Sequence, residues 1–444
     1  VNYIFYAFAD SRFLALIIGV STLNYILAIL IGREKYKGLW LWTGVLINLG
    51  ALGYFKYFDF FVTSFNSLFK SAGLYWHLQT LDILLPVGIS YFTFRVLSYL
   101  LDVDKGKVKA EKDVIAFFNY VTFFPCIFSG PIDRARDFLP QLKTQRKFEY
   151  DHVVDGFRQF LWGLFKKLVI ADNCAVLVNL VFDNYQHMQG SSLLVGAVFY
   201  AIQLYADFSG YSDMAIGVGR TMGFNVTKNF NFPFFAQNIA DFWRRWHISL
   251  TSWLTEYVFT PMSIALRDYG KLGLSLAITT NFVLVGLWHG AAWTFVVFGL
   301  IHGCLFIPLV LAGTMNKQKP LAKDKWLPSV REAFNMVSTF AMVTLTVVLI
   351  RAENLGQAYS FWSGMFSSSL FSWPIIAVPD KERLLVLVSF FMMLEWFGRD
   401  GEYAIEKTGQ RWPRWIRWSF YYFVIYLTLL CMSVEGSAFI YFQF

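Results

Sequence analysis

The stretch NFVLVGLWHGAAWTFVVFGLIHG, Asn281–Gly303, decides how this chain is read. It joins two apolar runs, Leu272–Trp288 and Ala291–Val310, each long enough for a bilayer, and only His289 and Gly290 separate them. Two spans cannot reverse within one or two residues in open lipid, where every backbone N–H and C=O needs a partner. The break at Gly290 therefore implies protein-lined space, and it puts an ionisable imidazole there, which is costly unless it pairs, faces water or does chemistry. Upstream, FWRRWHISLTSWLTEYVF, Phe242–Phe259, carries a second tryptophan-flanked histidine, His247.

Composition agrees with a membrane reading. The 444 residues are 56% hydrophobic and only 15% charged, with a mean hydropathy of +0.47. Soluble domains carry about 25% charged residues. The net charge of +8 would fit nucleic acid in a soluble protein. Here the basic residues gather in short loops between apolar runs, a pattern that cytoplasmic loops and anionic lipid explain better. Cys126, Cys174, Cys304 and Cys431 have no CxxC spacing and read as four separate small buried residues.

Taken in order, the apolar runs predict an all-α polytopic membrane protein with about ten spanning helices. They lie near residues 13–31, 39–58, 81–101, 157–182, 193–222, 272–288, 291–310, 334–350, 384–397 and 420–432. Pro86 and Gly88 are expected to bend the third. Two irregular insertions, 114–130 and 229–261, read as re-entrant or interfacial helices. This count puts the basic clusters at 33–37, 102–147, 228–271, 313–331 and 399–417 on one side. The chain starts at Val1 inside an aromatic apolar run, so an N-terminal helix is expected to be missing, and residues 1–444 read as one membrane-embedded domain.

Several polar residues stand out in these runs. Arg95 reads more readily as a structural partner within the bundle than as a ligand for an anion. Lys166 and Lys167 either snorkel or face a polar cavity. Asp207 and Asp213 are six residues apart, about 600° of helical rotation, so they do not share a face and read as network members rather than an acid/base pair. His289 is the strongest candidate for chemistry, since a buried neutral imidazole is the form a general base needs. The bland alternative is a histidine that plugs the helix break. His247 reads equally as a substrate-orienting group or as a pin for a surface helix. Arg244 and Arg245 read equally as ligands for an anionic donor or for lipid headgroups. His302 reads as structural. No HExxH, paired CxxC, phosphate loop or GxSxG elbow is present in the sequence.

These passages together resemble the membrane-bound O-acyltransferase family, in particular its bacterial alginate O-acetyltransferase branch. The resemblance rests on FFPCIFSGPIDR (Phe123–Arg134), QLYADFSGYSDMAIGVGRTMGFN (Gln203–Asn225), NFNFPFFAQNIADFWRRWHISLTSWLTEYVF (Asn229–Phe259), GLWHGAAWTFVVFGLIHG (Gly286–Gly303) and the terminal FIYFQF (Phe439–Phe444). It implies helices around a central passage in the bacterial cytoplasmic (inner) membrane. It also implies His289 as principal catalytic residue and His247 as a second; Arg244 and Arg245 are expected to guide the donor by their charge, not by the resemblance. Acetyl-CoA is the implied acyl donor, with no bound cofactor and no metal. The implied partners are membrane lipid, an extracytoplasmic acetyltransferase protein and a polysaccharide or peptidoglycan acceptor, with no nucleic acid. After Phe259 the chain departs from the family's Gly-Gly-Asn-Arg turn and reads PMSIALRDYG, Pro261–Gly270, which argues against alginate as the polymer. D-alanyl transfer from a carrier protein to teichoic acid is the alternative within the family. A secondary transporter, which broken helices and buried aspartates would suit, and a non-catalytic scaffold are the alternatives outside it.

Overall fold

The computed structural model describes residues 1–74, 76–317, 321, 322, 325–409, 412–433, 439 and 440. Its regular structure is helical throughout these residues. They form two compact units, residues 1–149 with 222–227, and residues 150–221 with 228–444.

In the first unit, helix Leu14–Gly32 packs beside Lys37–Leu52 through a reciprocal amide pair, Asn24 with Asn48, at 3.0 and 2.8 Å. The second helix does not stop at Phe58 as its apolar run implies. It continues through a π-helical turn, Gly53–Tyr57, to Ser71. Pro86 and Gly88 do not bend a span either; they precede helix Ile89–Asp104, with Gly88 at φ +78° against the Ile127 carbonyl. The expected irregular insertion is real: helix Val114–Val121 ends and the chain turns through buried, non-helical backbone to Arg134. Arg95, 1% exposed, satisfies that broken backbone. Its guanidinium donates to the carbonyls of Tyr120 (3.0 Å) and Pro131 (3.1 Å) and reaches the Asp133 carboxylate at 3.4 Å. The structural reading of Arg95 is therefore the one observed.

The second unit is built around helix Gly190–Thr221, which is buried along most of its length. It meets Tyr150–Phe165, Asp172–Asp183, Val330–Arg351 and Leu355–Met365, so its buried polar residues need partners from those neighbours. Gly163 and Gly210 bring two of these backbones into contact. The two aspartates on the central helix belong to separate ion pairs, in keeping with a spacing that puts them on different faces. Lys167 lies 2.7 Å from Asp207 and 2.8 Å from Asp172, and Lys166 lies 2.5 Å from Asp213. Both lysines sit on a π-helical segment, Lys166–Ala171, and neither snorkels; each is almost fully buried.

Six helical runs among the described residues are long and apolar enough to cross a membrane, not ten: Asn2–Gly32, Lys37–Ser71, Gly190–Thr221, Arg267–His289, Trp293–Leu311 and Val330–Arg351. The other four expected spans differ for identifiable reasons. Ile89–Asp104 has only 16 residues. The run through Tyr150–Asp183 carries Lys166, Lys167 and Asp172. Lys381–Gly398 has three charges in its first turn and Glu395 near its end, and Arg414–Cys431 holds two arginines among tryptophans and tyrosines. Cys304 is exposed, unlike the other three cysteines. The terminal FIYFQF lies outside the described residues apart from Phe439 and Ile440, as do Lys319, Lys323 and Arg411 of the basic loops.

Helices Gly270–His289 and Trp293–Leu311 form a tight antiparallel hairpin. Their backbones touch: a Cβ on Gly286 would lie 2.0 Å from the Phe295 carbonyl oxygen, and one on Gly299 would lie 2.2 Å from that of Phe282. Gly286→Ala should therefore force the helices apart and cost about 1–3 kcal/mol by overpacking. Gly19→Ala, with nothing within 4 Å of the added carbon, should cost nothing. Thermal unfolding of both variants in detergent checks this; an unchanged midpoint for Gly286→Ala would contradict the packing.

Candidate active site

The hairpin turn sets the depth of His289. The helix ends at His289 because Gly290 adopts an extended conformation (φ −155°, ψ 146°), and Gly290 is itself buried. A Cβ at Gly290 would overlap the Phe295 ring, so the turn closes directly onto the second helix. The protein-lined break expected from the sequence is what the structure contains.

The second insertion, 229–261, is not one surface helix. It forms two seven-residue helices, Ile239–Arg245 and Ile248–Leu254, followed by a π-helical turn Thr255–Phe259 and a short helix Thr260–Ala265. His247 sits at the break between the first two with φ +45° and ψ +52°, a left-handed conformation uncommon outside glycine. Residues held there cluster at functional sites.

These two breaks bring the histidines together. The ring centroids of His247 and His289 are 5.9 Å apart. Trp288 stacks edge-on to both, at 5.3 and 5.1 Å, and Phe208 of the central helix meets the His247 ring at 4.6 Å. His247 is fully buried and His289 is 7% exposed. Burial holds the His247 pKa well below the ordinary imidazole value, and the neighbouring His289 pushes it the same way.

His302 has a different role. Its Nδ1 accepts from Trp243 Nε1 at 3.0 Å, so the neutral ring presents Nε2–H to Thr346 Oγ1 at 2.9 Å. Thr346 in turn donates to the Val343 carbonyl. Both ring nitrogens are thereby used in tying three helices, which is the structural reading. Between His289, His302, Trp243, Trp246 and Phe298 lies a cavity of about 20 Å³, room for a single water.

The two arginines part ways. Arg245 is paired with Asp241 at 2.9 Å and donates to the Asn231 carbonyl at 3.3 Å. Arg244 lines a cavity of about 600 Å³ between the short helices and the hairpin, together with Trp243, Ile248, Asn281, Phe282 and Val285. One Arg244 nitrogen donates to the Met315 carbonyl at 3.1 Å. Its buried Nε and Nη2, and the buried Oδ1 of Asn281, have no hydrogen-bond partner among the described residues. Asn281, Val285 and His289 recur every four residues on one face of their helix. One turn, about 6 Å of rise, separates Val285 on the cavity wall from His289. Ile248, on the same wall, directly follows His247.

Sequence reasoning missed Asn281, Asn229 and the aromatic wall of Phe208. The available signal was polarity: an asparagine inside an otherwise apolar run needs a partner or a ligand.

A pair of buried imidazoles at two helix breaks, beside an apolar cavity with a spare guanidinium, can move a proton and hold an anionic amphiphile. Residues 110–350 match the membrane-bound O-acyltransferase (MBOAT) family, and the chain belongs to it. It is similar to the probable alginate O-acetylase of Pseudomonas putida, with 35% identity over all of this chain and 93% of that protein. It is also 35% identical to the peptidoglycan O-acetyltransferase of Helicobacter pylori, over 81% of this chain and 71% of that one. With the teichoic acid D-alanyltransferase of Bacillus subtilis it shares 34% identity over 55% of this chain and 62% of that one. The protein is an O-acyltransferase and a multi-pass protein of the bacterial inner membrane.

Folding lowers the His247 pKa, so the unfolded chain binds that proton more tightly. The stability this group contributes is full above the unfolded value of 6.5 and is lost as pH falls below it. The unfolding midpoint of the wild type in detergent should drop between about pH 7.5 and 5.5, and the drop should be shallower in His247→Asn. Parallel profiles would contradict burial of a neutral ring.

Proposed function

We propose that this protein transfers an acetyl group from a cytoplasmic thioester, acetyl-CoA, toward hydroxyls of a polysaccharide or peptidoglycan outside the membrane. The names of its relatives in Pseudomonas and Helicobacter support the acetyl group and a cell-envelope acceptor. The observation that carries the reading is the His247–His289 pair, 5.9 Å apart at the end of a helix face that also lines the 600 Å³ cavity.

In this mechanism the donor lies in the cavity. Its phosphates face the spare nitrogens of Arg244, whose planar fork suits them. Arg245, already paired with Asp241 and not part of the cavity lining, supports the local fold rather than the donor. His289 takes the proton of the acceptor hydroxyl as its oxygen attacks the thioester carbonyl. A neutral His247 donates one N–H to the tetrahedral oxygen. Collapse breaks the carbon–sulfur bond, and the proton on His289 passes to the leaving thiolate. The acceptor is the sugar itself or a hydroxyl on an extracytoplasmic partner protein that completes the transfer. Residues 1–444 work as one acyltransferase domain.

The test is transfer of radiolabelled acetyl from acetyl-CoA by purified protein in liposomes, with and without an envelope extract. His289→Ala should fold and lose about 10²–10⁴-fold in rate; full transfer by a folded variant would sink the mechanism. Arg244→Ala should raise the acetyl-CoA KM about tenfold or more, with Arg244→Lys keeping the charge but losing the fork. Arg245→Ala should instead lower the unfolding midpoint and leave KM near wild type. Equal KM effects for the two arginines would refute the assignment of the cavity to the donor.

A further inference from the structure

We propose that Asn229 is a positioning residue that holds His247 in its left-handed backbone conformation; the inference rests on the part given to His247 above. A non-glycine residue at φ +45° keeps that conformation only where its surroundings over-determine it. Here Asn229 meets the chain just after His247 with both its main chain and its side chain. The carbonyl of Asn229 accepts from Ile248 N–H at 2.9 Å, and its Oδ1 accepts from Ser249 N–H at 3.3 Å. These are the first two N–H groups after His247, which begin a helix and so lack partners within it. A second rung, Asn231 N–H to the Arg245 carbonyl at 2.9 Å, closes the other side of the turn.

The clamp is anchored at its far end. Asn229 Nδ2 donates to Ser212 Oγ on the central helix at 3.1 Å, and Asn229, Ser212 and Ser249 are all buried. Four residues earlier on that helix, Phe208 meets the imidazole of His247 edge to face. One helix face therefore fixes the backbone of His247 through Asn229 and its ring through Phe208. Asparagine is the side chain of this length that both accepts and donates; aspartate lacks the donor, and alanine lacks both.

The effect should run through the orientation of His247, not through donor binding, since Asn229 is not among the residues lining the donor cavity. Full-length Asn229→Ala in liposomes should lose about 10- to 100-fold in kcat, the scale of a misplaced catalytic group, with the acetyl-CoA KM within about twofold of wild type. Ser212→Ala, which leaves both backbone bonds in place, should lose less. The decisive comparison is a double-mutant cycle: His247→Ala/Asn229→Ala should be no slower than His247→Ala alone. Multiplying losses, or wild-type kcat in Asn229→Ala, would overturn the proposal. If Asn229→Ala does not reach the membrane, Ser212→Ala takes its place in the cycle with the same reading. A fully active His247→Ala beside an impaired Asn229→Ala would instead remove the role of His247, and so separates that failure from a failure of the clamp.

Discussion

Broken backbone inside a low-dielectric interior must find its hydrogen bonds within the protein, and this constraint organises both units. A helix satisfies itself; a break exposes N–H and C=O groups at a cost of several kcal/mol each where no water can reach. The chain breaks its helices at buried positions anyway, and at two of these breaks a residue distant in sequence meets freed groups. Arg95 does so for the turns after Val121, using a guanidinium with five donors on two carbonyls and a carboxylate. Asn229 does so at the His247 break, its backbone carbonyl accepting from Ile248 N–H and its side-chain amide oxygen from Ser249 N–H. A site made this way holds its reactive groups on rigid irregular backbone, at angles no continuous helix offers.

The same bookkeeping separates structural from reactive polar groups. Lys166, Lys167, Asp207, Asp213 and His302 are deeply placed, yet each has near partners at 2.5–3.0 Å. Removing one partner of such a buried pair leaves a charge with nothing to offset its desolvation, so these groups are bound to each other rather than available for a substrate. Arg244 differs in having two buried nitrogens left over beside open volume. Identity of residue type therefore says little here: two adjacent arginines, equal in the sequence, are divided by whether Asp241 is within reach.

Much of the site was legible before the structure. The two-residue gap between apolar runs marked the break at His289, and the tryptophan-flanked His247 stood out for its polarity. That Asp207 and Asp213 are not an acid/base pair followed from helical rotation; that Lys167 and Lys166 are their partners did not. What escaped was what depends on partners distant in sequence. The count of spans failed because an apolar run does not reveal where a helix begins: Gly88 starts one where a bend was expected, and Phe58 continues one where a loop was expected. The insertion 229–261 looked like one amphipathic helix because side-chain period cannot register a single left-handed residue. Nor could it show that Asn229 reaches residues 17 positions before it and 20 after it.

Tolerance to a larger side chain in the hairpin 270–311 is set by the contacts at its glycines. Where the Gly286 backbone lies against Phe295 and that of Gly299 against Phe282, not even one methyl can be added without moving His289. A few residues away, Leu284, Leu300 and Cys304 face outward, and any apolar side chain that lipid dissolves will serve there. The two faces of one helix pair therefore answer to different neighbours. A larger side chain on the outer stripe meets no packed backbone, while the same change at the glycines of the inner stripe is felt at the imidazoles.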